Sequence, residues 1–221
     1  ASDSVNNFVC LGSDAATCPD ANLFRIIGVF GDQTKVIRAK SVGDQKWDTN
    51  ISSTWSTSSL NTYLNGTYLT SLGDLSGKIA TTTWKVGGNT AANIGKSTPS
   101  AAYTNEIVTP SENTTYDAKI GLMYVSDYGF AASPDAWTLI MQRYNDTVAT
   151  SNNWMYMGLV EWTISRNSGL PDYVFYVYSS GYVSDNVVTL SFAVRPSFNL
   201  LSSVKYVSGS GSMSDPVRVI D

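Results

Sequence analysis

Tyr173-Val174-Phe175-Tyr176-Val177-Tyr178-Ser179-Ser180-Gly181-Tyr182-Val183-Ser184-Asp185-Asn186-Val187-Val188 reads as two short strands about a Ser-Ser-Gly turn. β-Branched and aromatic residues alternate on both sides of residues suited to a tight reversal. Successive side chains of a strand face opposite ways. Phe175 and Val177, then Val183 beyond the turn, form one apolar series, while Tyr176, Tyr178, Tyr182 and Ser184 fall on the other side. The vocabulary is that of a recognition surface. Tyr offers large amphipathic contact area with few torsions to freeze, and Ser, Gly and Asn offer adaptable hydrogen bonding. From Asn167 to Val204 the chain has no Lys, Glu, Gln, Met or Trp. The competing reading is an ordinary Tyr-rich hairpin whose rings pack inside a β-rich protein.

Outward from this segment, the length of 221 residues suits one large domain, and 43% hydrophobic residues are enough for a core. Only 14% of residues are charged, so Ser, Thr, Asn and Gly must cover much of the surface, as in an exported protein. A net charge of −4 without a basic cluster argues against nucleic acid or anionic membrane as partner. No stretch approaches 18 apolar residues, so no direct membrane insertion is expected. The opening Ala1-Ser2-Asp3-Ser4 is not a signal peptide, which suggests a processed form or one trimmed of a leader or anchor. Cys10 and Cys18 would close a small loop in an oxidising compartment, worth about 2–3 kcal/mol. The alternative is a pair of reduced thiols.

Along the chain, Leu23–Phe30, Gly31-Asp32 and Thr34–Ala39 predict a hairpin. Leu60, Tyr63, Leu64, Tyr68, Leu69 and Leu72 have helical spacing, with Ser56 or Thr57 as N-cap. A second short helix is expected from Ser133-Pro134-Asp135, carrying Trp137, Ile140, Met141 and Tyr144. Residues 87–117 read as long loops, 119–125 and 154–157 as strand-like, and 194–220 as closing strands. Two helices within a mesh of antiparallel strands and long loops make an α+β domain spanning residues 1–221.

The chain has no His, which removes the commonest general base and most zinc and copper sites. Its only Glu residues, Glu106, Glu112 and Glu161, stand in no recognisable glycosidase or protease motif. The Gly87-Gly88 and Gly209-Ser210-Gly211 pieces lack the context and Lys of phosphate loops. The expectation is therefore not an enzyme and no cofactor. A calcium site from Asp and Asn oxygens in loops stays open, with no ligand set assigned.

Glu161-Trp162-Thr163-Ile164-Ser165-Arg166, followed by Ala193-Val194-Arg195-Pro196-Ser197-Phe198, resembles the E-W-T-x-S … G-[FV]-R-P pattern of bacterial and phage domains with the C-type-lectin fold, including the formylglycine-generating-enzyme-like branch. Ala193 stands where the pattern has Gly. The chain resembles still more the variable proteins diversified by retroelements, in which adenine-directed mutation of AAC-type codons cannot yield Lys, Glu, Gln, Met or Trp. Leu23–Phe30, Ser58–Leu72 and Gly121–Phe130 also look like pieces of uncharacterised bacterial surface proteins. Formylglycine-generating activity does not carry over, because no Cys lies beyond Cys18. The calcium motif of sugar-binding animal lectins is absent too.

The resemblance implies a C-type-lectin-like scaffold with a variable, ligand-binding region at about 167–192. It assigns display to Tyr173, Tyr176, Tyr178, Tyr182, Asp185, Asn186, Thr189, Leu190 and Phe192, and support to Trp162, Phe175, Val177, Gly181, Val183 and Val188. The function so implied is an extracellular, cell-surface or phage-borne binding module for a protein or glycan on another cell. The alternative is a pilus or cell-envelope subunit that uses the same aromatic face for assembly.

Overall fold

Leu23–Phe30 (β2) and Gln33–Arg38 (β3) pair antiparallel around Gly31 at φ +64°, a conformation that Gly adopts without a Cβ penalty. The computed structural model describes residues 5–220, and this hairpin lies inside the larger of its sheets. In spatial order that seven-stranded sheet runs Lys205–Ser208 (β13), Val217–Ile220 (β14), Phe8–Cys10 (β1), β2, β3, Ser197–Asn199 (β12) and Ile120–Gly121 (β7). Its neighbours are antiparallel except β1 and β14, where Val9 lies opposite Val217 in parallel. The five-stranded sheet runs Val183–Val187 (β10), Tyr173–Val177 (β9), Glu161–Arg166 (β8), Ser191–Ala193 (β11) and Asp44–Lys46 (β4). Thr82–Lys85 (β5) and Thr115–Ala118 (β6) form a separate pair. Short helices with these antiparallel strands make the α+β architecture.

Both faces of the central strands are covered. Val36 and Ile37 are neighbours in β3 yet enter different buried clusters, and in β9 Val174 and Tyr176 join one cluster while Phe175 and Val177 join the other. The first cluster also holds Trp47, Trp55, Trp84 and Trp162, and each of these except Trp55 donates its indole N–H to a main-chain carbonyl. Buried indoles satisfied in this way keep their apolar gain.

The helix of residues 59–71 comprises Ser59–Tyr63 (α1), a π turn Leu64–Tyr68 and Leu69–Ser71 (α2). Its N-cap is Ser58, whose hydroxyl accepts from Asn61 N at 3.1 Å, one or two positions beyond the Ser56 or Thr57 expected.

The second expected helix is replaced by the 3-10 turns Pro134–Ala136 and Met141–Arg143. Met141 N and Gln142 N donate instead to the carbonyls of Ser97 and Gly95, so the donors that would continue a helix are already engaged. Residues 87–117 are more ordered than expected. Thr98 caps Pro99–Tyr103 (α3), which runs into a π turn Thr104–Val108, and β6 follows. The strand expected over 119–125 is only β7, and Val125–Phe130 (α4) begins after three intervening residues. Asn145 caps a further helix, Asp146–Asn152 (α5), through Val148 N. Residues 154–157 form a turn and irregular chain rather than a strand.

Cys10 and Cys18 are joined by a disulfide. Arg218 of β14 donates to the carbonyls of Ser13, Ala15 and Ala16 inside that loop, tying the last strand to the first.

Candidate functional site

The two halves of the Glu161 … Arg195 pattern meet in space. Arg195 Nε and Nη2 donate to both carboxylate oxygens of Glu161 at 2.6 and 2.9 Å, and Nη2 also reaches Met155 O at 2.6 Å. Both residues are buried. Glu161 begins β8 in one sheet, while Arg195 lies between β11 of that sheet and β12 of the other, so the pair pins the crossing between sheets. Burial raises the Glu161 carboxyl above its ordinary value, and the charge and hydrogen bonds of Arg195 oppose that shift.

Beyond this crossing the β9–β10 hairpin carries the aromatic residues. Val183 lies opposite Val177, Ser184 opposite Tyr176 and Asp185 opposite Phe175. The Ser-Ser-Gly turn closes with Tyr178 N donating to Tyr182 O and Gly181 N to Tyr178 O, both at 2.8 Å. It is fastened from beneath: Tyr128 Oη donates to Gly181 O at 2.7 Å, and Tyr156 Oη donates to Ser179 O. Gly181 sits at φ +100°, and a Cβ there would lie 2.2 Å from Ala149 Cβ in α5.

The rings form a continuous series. Trp162 packs on Phe192 at 4.4 Å between centroids, Phe192 on Tyr176 at 5.1 Å, Tyr176 on Tyr178 at 6.4 Å, and Tyr178 stacks on Tyr182 at 4.8 Å. Its covered end is Trp162 and its most open ring is Tyr178. Trp162 is fully covered, Tyr176 is 7% exposed and Tyr178 is 39% exposed. Tyr182 and Phe192 are half-buried. Burial raises the Tyr182 hydroxyl pKa, with the neighbouring Tyr176 and Tyr178 adding to the shift, so the phenol remains a hydrogen-bond donor across physiological pH.

Three residues stand apart from the display face that the sequence assigns them. Tyr176 does point away from Phe175 and Val177, but Phe192, Tyr178 and Trp162 close over its ring. Asp185 shares the face of Phe175, where its carboxylate accepts from Asn167 Nδ2 at 2.8 Å. Tyr173 has the same parity as Phe175 and is half-buried. Asn186 lies on the Tyr176 face, Thr189 is half-buried and Leu190 is 38% exposed. Trp162, Phe175, Val177, Gly181, Val183 and Val188 are all buried. Sequence reasoning missed Tyr128, Tyr156 and Asn167, whose polar atoms brace the hairpin from elsewhere in the chain.

One buried acid lies outside this surface. Glu106 accepts from Ser126 N at 2.7 Å and from Ser165 Oγ at 2.6 Å, tying the start of α4 to β8. Burial pushes its carboxyl up to about 7, against the opposing hydrogen bonds from Ser126 and Ser165. Glu106 therefore holds its proton more tightly folded than unfolded. Its contribution to stability is complete below about pH 4.5 and is lost as the pH rises to about 7. Replacing it by the always-neutral Gln is expected to remove a decline of about 3 kcal/mol across that window. Urea unfolding of both proteins at pH 5 and 7.5 checks this, and parallel pH profiles would contradict it.

Among the described residues no group of three or more Asp, Glu, Cys or His is placed to hold a metal ion, and no helix is long and apolar enough to cross a membrane. Residues 31–202 match the family described as Domain of unknown function (DUF6273), and the chain belongs to that family. No curated protein and no solved structure matches it.

Proposed function

We propose that this member of the DUF6273 family is an exported binding module, displayed on a cell surface or phage particle, that recognises a protein or glycan on another cell. The contact surface is the rings of the aromatic series that solvent reaches, Tyr178, Tyr182 and Phe192, extended by Asn186, Thr189 and Leu190. The supporting observation is the stacked Tyr178–Tyr182 pair, with Tyr178 exposed and Tyr182 half-buried, on a turn held by the Tyr128 and Tyr156 hydroxyls. Rings fixed before a partner arrives lose little conformational entropy on binding, so more of their burial counts toward affinity. The scaffold is read as C-type-lectin-like, supported by the Trp162-bearing strand meeting the closing Arg195-Pro196 segment through Glu161. The span without Lys, Glu, Gln, Met or Trp supports retroelement diversification at about 167–192.

Tyr178→Ser with Tyr182→Ser is expected to weaken binding at least 100-fold while moving Tm by less than about 5 °C, since Tyr178 is exposed and Tyr182 only partly covered. The intact domain and the variant are screened against a glycan array and a library of cell-surface proteins. Hits retained by a folded variant would refute the assignment of this surface. An intact domain that grows with concentration in light scattering would favour an assembly subunit instead. A near-copy of the codons for residues 167–192 beside a reverse transcriptase gene, differing only at adenines, is the corresponding genetic test.

A further inference from the structure

A cavity elsewhere in the molecule is lined by none of the β9–β10 hairpin residues. About 580 Å³ in volume, it opens between the β2–β3 hairpin, β5 and α4. That volume is in the range of small-molecule sites. Its walls carry six aromatic side chains: Phe30, Trp84, Tyr103, Tyr124, Phe130 and Trp154. Of the seven polar residues in the lining, Lys35, Asp127 and Asn199 bear most on an occupant. Lys35 and Asp127 form a buried ion pair at 2.5 Å. The Lys35 ammonium lies 4.6 Å from the centre of the Tyr124 ring and 5.4 Å from that of Trp84. Asn199, 8% exposed, donates to Thr82 Oγ1 at 2.9 Å, and its Oδ1 has no hydrogen-bond partner among the described residues.

Each feature restricts the occupant. The Lys35–Asp127 pair is neutral overall and the other cation of the lining, Lys85, donates to Asn113 Oδ1 at 3.0 Å, so a charged guest would be desolvated without a dedicated counter-charge, which is costly. Aromatic walls favour a flat ring, which gains offset or edge contacts beyond its area burial. A buried oxygen without a donor favours a guest that brings one. The ammonium has three N–H groups, of which Asp127 engages one, so an acceptor on the guest can reach it. We propose that this cavity binds an uncharged, planar aromatic small molecule carrying an N–H or O–H donor for Asn199 and an acceptor for Lys35.

Indole-3-carboxamide has these properties and serves as the probe, with the ¹⁵N-labelled domain followed by NMR. Saturable shifts of the Trp84 indole N–H and the Lys85 amide are expected. The N1-methylated probe, which lacks the ring donor, and the anionic indole-3-carboxylate should each bind at least tenfold more weakly. Tyr103→Ser with Phe130→Ser alters only exposed rings at the mouth and should weaken the carboxamide at least tenfold without unfolding. Absence of saturation, or shifts centred on Tyr178 and Tyr182, would overturn the proposal. Equal affinity for the methylated or anionic probe would do so as well. Those two comparisons use the unaltered protein, so they hold even if the double variant folds poorly.

Discussion

Arg195→Met is expected to cost about 3–5 kcal/mol at pH 7, lowering Tm by roughly 10 °C. Its guanidinium supplies both partners of the Glu161 carboxylate and one donor to Met155 O, all out of contact with water. Removing the cation leaves a buried anion with no compensating charge, and Met cannot hydrogen-bond to it. The same variant should be milder at pH 5, because burial already raises the Glu161 carboxyl and loss of Arg195 removes what opposes that shift. Arg195→Met with Glu161→Leu should recover most of the loss, since an apolar pair of similar volume avoids desolvating either charge. Urea unfolding of the two variants at both pH values measures this. A single variant as stable as the parent would show that the pair contributes nothing across the junction of the sheets.

Gly181→Ala is expected to be comparably severe, at about 3 kcal/mol or more, for two separable reasons. An L side chain is strained at φ +100°, and the new Cβ would stand 2.2 Å from Ala149 Cβ, well inside contact distance. Either the turn lifts off α5, breaking the Tyr128 hydrogen bond, or α5 moves. Pairing Gly181→Ala with Ala149→Gly relieves the collision but not the backbone strain, so the double variant should regain only part of the loss beyond the cost of Ala149→Gly alone. Thermal unfolding of all three variants separates the two effects. A cost under about 1 kcal/mol for Gly181→Ala would mean that the turn is not fastened where its Tyr contacts place it.

Much of the strand framework is legible because a half-buried strand writes its alternation into the sequence. The β2–β3 hairpin has its turn marked by Gly31-Asp32, and in β9 the opposed sides of Phe175 and Tyr176 follow from period two. The position of Asp185 on the Phe175 face is legible by the same parity, once the turn is counted as three residues. The resemblance groups it with the display residues instead. The covering of Tyr176 is different, because it depends on Trp162 and Phe192 arriving from other strands.

Helices were harder to see. Leu122-Met123-Tyr124-Val125 is apolar throughout and buried on every side, so it carries no period to tell helix from strand. What starts α4 is Asp127 accepting from Tyr124 N at 2.8 Å. Around Ser133 the local cap signals are present, but carbonyls of Gly95 and Ser97, some forty positions earlier, take the donors a helix needs. The aromatic cavity left no trace of its own, since Lys35 and Asp127 sit 92 positions apart and neither occurs in a motif.

The parallel alignment of Val9 with Val217 also bears on the order of folding. Closing a loop of nearly the whole chain costs about 5 kcal/mol of configurational entropy, far more than two residue pairs return. The first strand must therefore wait until the intervening sheets have drawn the last one beside it, whereas Cys10 and Cys18, eight positions apart, can find each other while most of the polypeptide is still being synthesised.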